Sequence, residues 1–135
     1  MPITVTAPRG LLTPAGVREI LPRLTDALAE ATDSSGRPEI VATIGGTVHQ
    51  LDPADIYAGG QPRPLVLVEV KLPAIALTTL ERRARFIAAA TAIVADLTVE
   101  GHEDANTWVN ILHAQDGAWG VGGQSLTNEM LSGTG

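Results

Sequence analysis

The two halves of the chain carry the same series of sequence signals, and this internal repeat restricts the fold more than any other feature. Each half contains a strand, a helix, a second strand and a glycine-rich segment, and the two series are offset by about 62 to 65 residues. Two β-α-β units with right-handed crossovers place both helices on one face of a four-stranded sheet. The matching segments are Pro2–Val5 with Pro64–Leu67, the helix starts at Thr13 and Thr78–Thr79, the second strand with Trp108–Leu112, and Tyr57–Gln61 with Gly120–Gln124.

The repeat predicts an α/β fold with one mixed sheet and one domain over residues 1–135. Its units are residues 2–63 and 64–128, followed by a C-terminal tail over residues 129–135. One face of such a sheet is covered by the helices and the other is bare. The bare face and the glycine-rich tail need a partner, so we expect an oligomer.

Hydrophobic periodicity places the elements of the first unit. Alternating β-branched residues predict a strand over Pro2–Ala7, and apolar residues at spacings of three and four predict a helix from Thr13 to about Thr32. Glu39–Ile44 is rich in β-branched residues and predicts the second strand. Gly45-Gly46 indicates a bulge or turn, after which Thr47–Leu51 can continue that strand.

The second unit opens with a near-continuous apolar run, Leu65–Lys71. Such a run predicts a strand buried on both faces, an arrangement that allows parallel pairing with the first strand. A helix over Thr79–Ala95 and a strand over Thr107–His113 follow. The loop between the units and the tail after Trp119 are too rich in glycine to predict regular structure, except for a short turn at Thr127–Leu131.

Composition excludes several classes of function. Nine Lys and Arg against fifteen Asp and Glu give a net charge of −6, which disfavours binding to nucleic acid or to an anionic membrane. The absence of cysteine excludes disulfides and thiolate chemistry, and no apolar run is long enough for a membrane span or a signal peptide, so we expect a cytoplasmic protein. The three histidines, His49, His102 and His113, lack metal-ligand spacing, and no metal site or cofactor is expected.

Two motifs give the chain a family resemblance. Pro2 follows the initiator methionine directly, and Trp119-Gly120-Val121-Gly122-Gly123 follows the last strand. With the two-unit architecture, they make the chain resemble the tautomerase superfamily in its fused, double-length form. That form includes the macrophage migration inhibitory factor, cis-3-chloroacrylic acid dehalogenase and malonate semialdehyde decarboxylase families, and the glycine tail resembles that of the 4-oxalocrotonate tautomerase family. The resemblance implies a homotrimer.

The resemblance assigns catalysis to Pro2. Once Met1 is removed, as a small second residue permits, Pro2 carries a free secondary amine. Desolvation and nearby cations lower the pKa of such an amine, so that it is neutral near pH 7 and accepts a proton from carbon beside a carbonyl. The implied activity is keto–enol tautomerisation of a small 2-oxo acid, with Pro2 as general base and then general acid.

Three cations are candidates for holding the carboxylate of such a substrate. Arg37 lies near the place where the migration inhibitory factor family has a lysine, Arg9 follows the first strand, where other members use arginines, and Lys71 ends the third strand. A guanidinium binds a carboxylate through its planar fork. A solvated loop charge is the alternative interpretation for each of the three.

Three further residues are predicted to line the site. Asn110 and Trp108 lie two apart on one strand, so they share a face, and an asparagine N–H can stabilise charge on an enolate oxygen. Trp119 matches the aromatic residue beside the proline in the 4-oxalocrotonate tautomerase family. A trimer-interface anchor is an equally acceptable role for Trp119.

Two alternative functions stay open. The dehalogenase and decarboxylase families have paired arginines after the third strand, where this chain has Lys71-Leu72-Pro73. A hydratase, dehalogenase or decarboxylase activity is therefore an alternative with weaker support. The other alternative is a non-catalytic binding module of ferredoxin-like topology.

Overall fold

A single mixed sheet forms the centre of the molecule, which we describe over residues 1–132 from a computed structural model. The sheet contains β1 (Pro2–Pro8), β2 (Gly45–Leu51), β5 (Val66–Pro73) and β6 (Thr107–Ala114), in the order β2-β1-β5-β6. β1 pairs parallel with β2, β5 pairs parallel with β6, and the central pair, β1 with β5, is antiparallel. The predicted four-stranded mixed sheet is confirmed. Of the predicted tail over residues 129–135, positions 133–135 lie outside the described residues.

Two long helices, α1 (Pro14–Ala31) and α3 (Leu80–Leu97), pack against each other and against the same face of the sheet. Each begins at a threonine cap whose hydroxyl accepts a backbone N–H, Thr13 from Gly16 and Thr79 from Arg82. Alternate residues of β1 and β5 meet the apolar stripes of the helices, so the core lies between sheet and helices. The core residues from these four elements include Ile3, Val5, Val68, Val70, Ile20, Leu24, Leu28, Phe86, Ala90 and Val94.

The prediction of a strand over Glu39–Ile44 is wrong. A one-turn helix, α2 (Pro38–Val41), and a turn occupy this segment, and the strand begins at Gly45 instead of being interrupted there. Pro38 stands at the first helical position, where its missing N–H costs nothing. Ile40 on α2 and Ile44 in the turn after it are both buried, so these β-branched residues pack into the core without forming a strand.

The orientation and burial predicted for the third strand are also wrong. β5 runs antiparallel to β1, because the connection after β2 starts at the end of the sheet where β1 and β2 finish and does not return to their start. Leu67 and Glu69 are half-buried and Lys71 is exposed, whereas Val66, Val68 and Val70 are fully buried. The strand therefore has one covered face and one open face, which we call the open sheet face.

Both glycine-rich segments form hairpins, contrary to the prediction that they lack regular structure. The first joins β3 (Tyr57–Ala58) to β4 (Gln61–Pro62), and the second joins β7 (Trp119–Val121) to β8 (Gln124–Leu126). In each case a Gly-Gly pair with positive φ makes the turn: 60° and 77° at Gly59-Gly60, and 62° and 86° at Gly122-Gly123. Tight hairpin turns favour glycine pairs for this reason. The repeat thus extends to the turns, although Pro64 precedes β5 whereas Pro2 lies within β1.

A one-turn helix, α4 (Asn128–Leu131), follows the second hairpin at the predicted turn. The hydroxyl of Thr127 caps it by accepting the N–H of Met130, and Leu131 is buried. Within residues 1–132, none of the helices is both long enough and apolar enough to cross a membrane.

Candidate active site

The amino terminus lies at the end of the sheet where β1 and β2 begin and β5 and β6 finish. Pro2 pairs with Gly45 and is exposed on the open sheet face. Met1 is only 4% exposed, and its amine donates a hydrogen bond of 2.7 Å to the carbonyl oxygen of Thr43. Burial lowers the pKa of this amine below its ordinary value of 8.0, because desolvation penalises the charged form. Met1 is thus enclosed by protein, whereas Pro2 is exposed.

A small cavity of about 90 Å³ adjoins Met1. Its polar lining comes from the segment after α1, where the buried hydroxyl of Ser34 lies 3.0 Å from that of Thr32. The remaining lining residues are Arg37, Ile40, Pro73, Ile75, Ala76 and Leu131. Since Pro2 is bonded to Met1, the space that Met1 fills lies directly at the nitrogen of Pro2.

Arg37 is the cation that the fold brings to this cavity. It precedes α2, and its Nε lies 3.2 Å from a carboxylate oxygen of Glu39. One terminal nitrogen donates a hydrogen bond of 2.7 Å to the carbonyl oxygen of Leu131, 94 residues away in sequence. The guanidinium is therefore held between two acceptors at the wall of the cavity, with its side chain 35% exposed.

Lys71 reaches the same end of the sheet on its open face. It follows Val70, the partner of Ile3, so it shares both face and sheet end with Pro2. Its ammonium lies 3.6 Å from the carboxylate of Glu69 and is exposed. A second positive charge is thus placed beside the first residue of β1, outside the cavity.

The other predicted site residues lie farther from Pro2. Arg9 follows the opposite end of β1, about 20 Å away at the usual rise per strand residue, and donates a hydrogen bond of 3.1 Å to the carbonyl of Gln50. Trp108 lies near that same far end and donates its indole N–H to the carbonyl of Ala105. Asn110 is exposed on the open sheet face, about 10 Å across because β5 lies between its strand and β1.

Trp119 starts the second hairpin and packs, half-buried, against the hydrophobic core. It is not among the residues that line the cavity beside Met1. Within one chain, the structure brings Pro2, Arg37 and Lys71 to one sheet end and leaves Arg9, Asn110 and Trp108 apart from them.

Of the nine residues that line the cavity, the sequence predicted only Arg37 as a site residue. It also predicted a short turn at Thr127–Leu131, but no local pattern shows that this turn reaches Arg37. Thr32 and Ser34 resembled an ordinary helix end. Within residues 1–132, no three acidic or histidine side chains are grouped so as to hold a metal ion.

The cavity beside Met1 is lined by apolar residues, one guanidinium and two hydroxyls, so it can bind a small anion next to a desolvated amine. Desolvation keeps such an amine neutral at a higher proton concentration than in water, so it can act as a base near neutral pH. The guanidinium supplies the charge that a carboxylate needs.

Comparison with known proteins identifies the fold. The Q0 fused 4-OT wild type, a symmetric trimer, is 23% identical, with a TM-score of 0.78 over 97% of this chain and 98% of that chain. Pt0534 inactivated by 2-oxo-3-pentynoate is 20% identical, with a TM-score of 0.77 over 97% and 98%. N1, a member of the cis-3-chloroacrylic acid dehalogenase family, is 16% identical, with a TM-score of 0.77 over 93% and 83%.

No protein-family model matches the chain, and no curated protein matches it. Structural likeness at these identities establishes the fold and leaves the activity to be argued from the site. The resemblance stated from the sequence is confirmed at the level of the fold.

Proposed function

Because the chain has the fold of the tautomerase superfamily, we propose that it is a tautomerase that acts on a small 2-oxo acid, with Pro2 as its base. Removal of Met1 leaves a secondary amine at Pro2. That amine takes a proton from the carbon beside the substrate carbonyl and returns it to oxygen, or transfers it in the reverse direction. No cofactor is needed for this step.

The observation that carries the proposal is the enclosure of the chain start. Met1 is 4% exposed and adjoins a cavity that Arg37 also lines. Excision of Met1 would enlarge that cavity and leave Pro2, with a free amine, as the first residue of the chain. Arg37 then offers a carboxylate a partner within the same space.

A 2-oxo acid and a trimer are supported by the comparisons. Pt0534 is inactivated by 2-oxo-3-pentynoate, and the fused 4-OT is a trimer. We assign a 2-oxo acid substrate and a homotrimer to this chain. Arg9, Asn110 and Trp108 can then join the site only from another copy, since they lie far from Pro2 of their own chain.

The decisive test is the enol-to-keto conversion of phenylpyruvate by the native protein and by Pro2→Ala. We expect kcat/KM to fall about 100-fold, because Pro2→Ala replaces the rigid secondary amine with a primary amine. Alanine is also small, so Met1 is removed from both proteins, and the intact mass of each checks this.

Pro64→Ala is the matched control, since Pro64 is exposed and precedes β5 as Pro2 begins β1. Its rate should equal that of the native protein. Equal rates for native protein and Pro2→Ala, or an intact mass that still includes Met1 on active protein, would remove Pro2 from the mechanism. No turnover of any 2-oxo acid would favour the non-catalytic binding module.

A further inference from the structure

The cavity beside Met1 leaves little room for a large substituent on the 2-oxo acid that the proposed function requires. It measures about 90 Å³, whereas pockets for small molecules usually measure about 300 to 1,000 Å³. Loss of Met1 adds the volume of one whole residue. The room left for the substituent of the 2-oxo acid then depends on the remaining wall residues.

Leu131 belongs to a part of the wall that few hydrogen bonds attach to the rest of the molecule. It ends α4, a helix of one turn, and is 9% exposed. Besides its own capping bonds, α4 is held by the N–H of Asn128, which donates to the carboxylate of Asp116 over 2.7 Å, and by the bond from Arg37 to the carbonyl of Leu131.

The bond from Arg37 also uses the cation that a substrate carboxylate needs. A carboxylate is a stronger acceptor for a guanidinium than a peptide carbonyl, because the hydrogen bond is charge-assisted on both sides. A bound 2-oxo acid therefore competes directly with the carbonyl of Leu131. When the acid binds to Arg37, α4 loses the hydrogen bond from Arg37 to Leu131 and the Leu131 side chain can leave the cavity.

We infer that Leu131 determines which 2-oxo acids this site accepts. In the free protein its carbonyl oxygen accepts a hydrogen bond from the Arg37 guanidinium. Its side chain limits the size of the group attached to the substrate carbonyl. This inference rests on the proposed function, and it assigns to the C-terminal turn a role in substrate selection.

The first test compares kcat/KM for phenylpyruvate and for pyruvate in the native protein, Leu131→Ala and Met130→Ala. In Leu131→Ala, kcat/KM for phenylpyruvate divided by kcat/KM for pyruvate should rise about tenfold, the usual effect of changing the volume of an apolar pocket. Met130 lies on the same helix and is 47% exposed, so Met130→Ala should leave the ratio unchanged. An unchanged ratio in Leu131→Ala overturns the inference.

The second test needs no turnover and follows hydrogen exchange of the amides of Leu131 and Ser132, which donate to Thr127 and Asn128. Arg37→Gln should speed their exchange about tenfold in the free protein, because a charge-assisted bond is lost. Saturating pyruvate should speed it in the native protein and change nothing in Arg37→Gln. Arg23→Gln is the control, since Arg23 also donates a hydrogen bond, to Asp96, but lies on α1 and does not line the cavity.

The two tests separate the possible failures. If the amides of Leu131 and Ser132 exchange as slowly in Arg37→Gln as in the native protein, the inference is overturned even if the enzyme turns over 2-oxo acids. Absence of turnover by the native protein overturns the proposed function, and with it the selection role of Leu131, even if the exchange rates follow Arg37. Unfolding of Leu131→Ala, detected by its circular dichroism, would leave the exchange measurements on Arg37→Gln to decide.

Discussion

The fold disfavours protonation of the His102 imidazole. Its Nε2 lies 2.7 Å from the hydroxyl of Thr107, which is itself buried, and its Nδ1 is buried with no partner among the described residues. Protonation would place a second N–H in a position without an acceptor. Burial therefore lowers the pKa of His102 below 6.5, although the carboxylates of Asp104 and Glu103 act in the opposite direction.

The free energy of unfolding depends on pH because His102 binds protons to different extents in the folded and unfolded chains. Between the lowered pKa of His102 and 6.5, the unfolded chain binds more protons than the folded chain, so the free energy of unfolding falls as the pH falls. We expect urea denaturation to give a smaller free energy at about pH 5 than at about pH 7.5. His102→Gln should reduce that difference, and His49→Gln, at an exposed position of β2, should not. An unchanged difference in His102→Gln would contradict this explanation.

At the scale of elements, two adjacent glycines at the start of β2 have different roles. A Cβ on Gly46 would lie 2.7 Å from the carbonyl oxygen of Ile3 and 2.8 Å from Cδ2 of Leu21, whereas a Cβ on Gly45 would meet nothing within 4 Å. Gly46 thus allows β2 to approach both β1 and α1. We expect Gly46→Ala to lower the free energy of unfolding by about 1 to 3 kcal/mol, the usual cost of overpacking.

Gly45→Ala is the matched control, one residue away on the open sheet face, and should change stability by less than about 0.5 kcal/mol. Urea denaturation of both variants measures the difference. Equal stabilities would show that α1 and β1 shift to accept the extra methyl group, and that close approach does not explain Gly46.

The sequence predicted those elements that have their own periodicity or their own cap. The two long helices and the sheet follow from apolar spacing, from the caps at Thr13 and Thr79 and from the repeat. The prediction of a strand over Glu39–Ile44 was wrong because β-branched residues occur both in strands and in short buried turns. The segment is too short for its periodicity to distinguish the two. The orientation of β5 depended on where a fourteen-residue connection, residues 52–65, leads, which local pattern does not determine.

The candidate site also contains residues that the sequence predicted and a cavity that it did not predict. Pro2 and Arg37 were predicted through the family resemblance and their chemistry, and they lie at one end of the sheet. The cavity itself depends on a contact across 94 residues between Arg37 and Leu131. Such a contact is set by how the C-terminal hairpin folds back on the core, and no spacing within the sequence encodes it.

At the scale of the whole molecule, the open sheet face and the free edge of β6 argue for assembly. β6 is an edge strand in the single chain, so its outer N–H and C=O groups have no strand partner within the described sheet. Trp108 and Leu112 lie along it on the open face and are 42% and 44% exposed. An edge strand with exposed apolar side chains is a surface on which another copy can pack.

Leu112→Arg tests this surface. A charge placed where a second copy packs has no partner and weakens association, so the sedimentation mass should fall from three times the 14.0 kDa chain mass towards a single chain. Leu80→Arg is the matched control, because Leu80 is 79% exposed on α3, on the helical side of the sheet; that variant should stay at three times the chain mass. If Leu112→Arg keeps the native mass, or the native protein sediments as a single chain, assembly does not use the edge of β6.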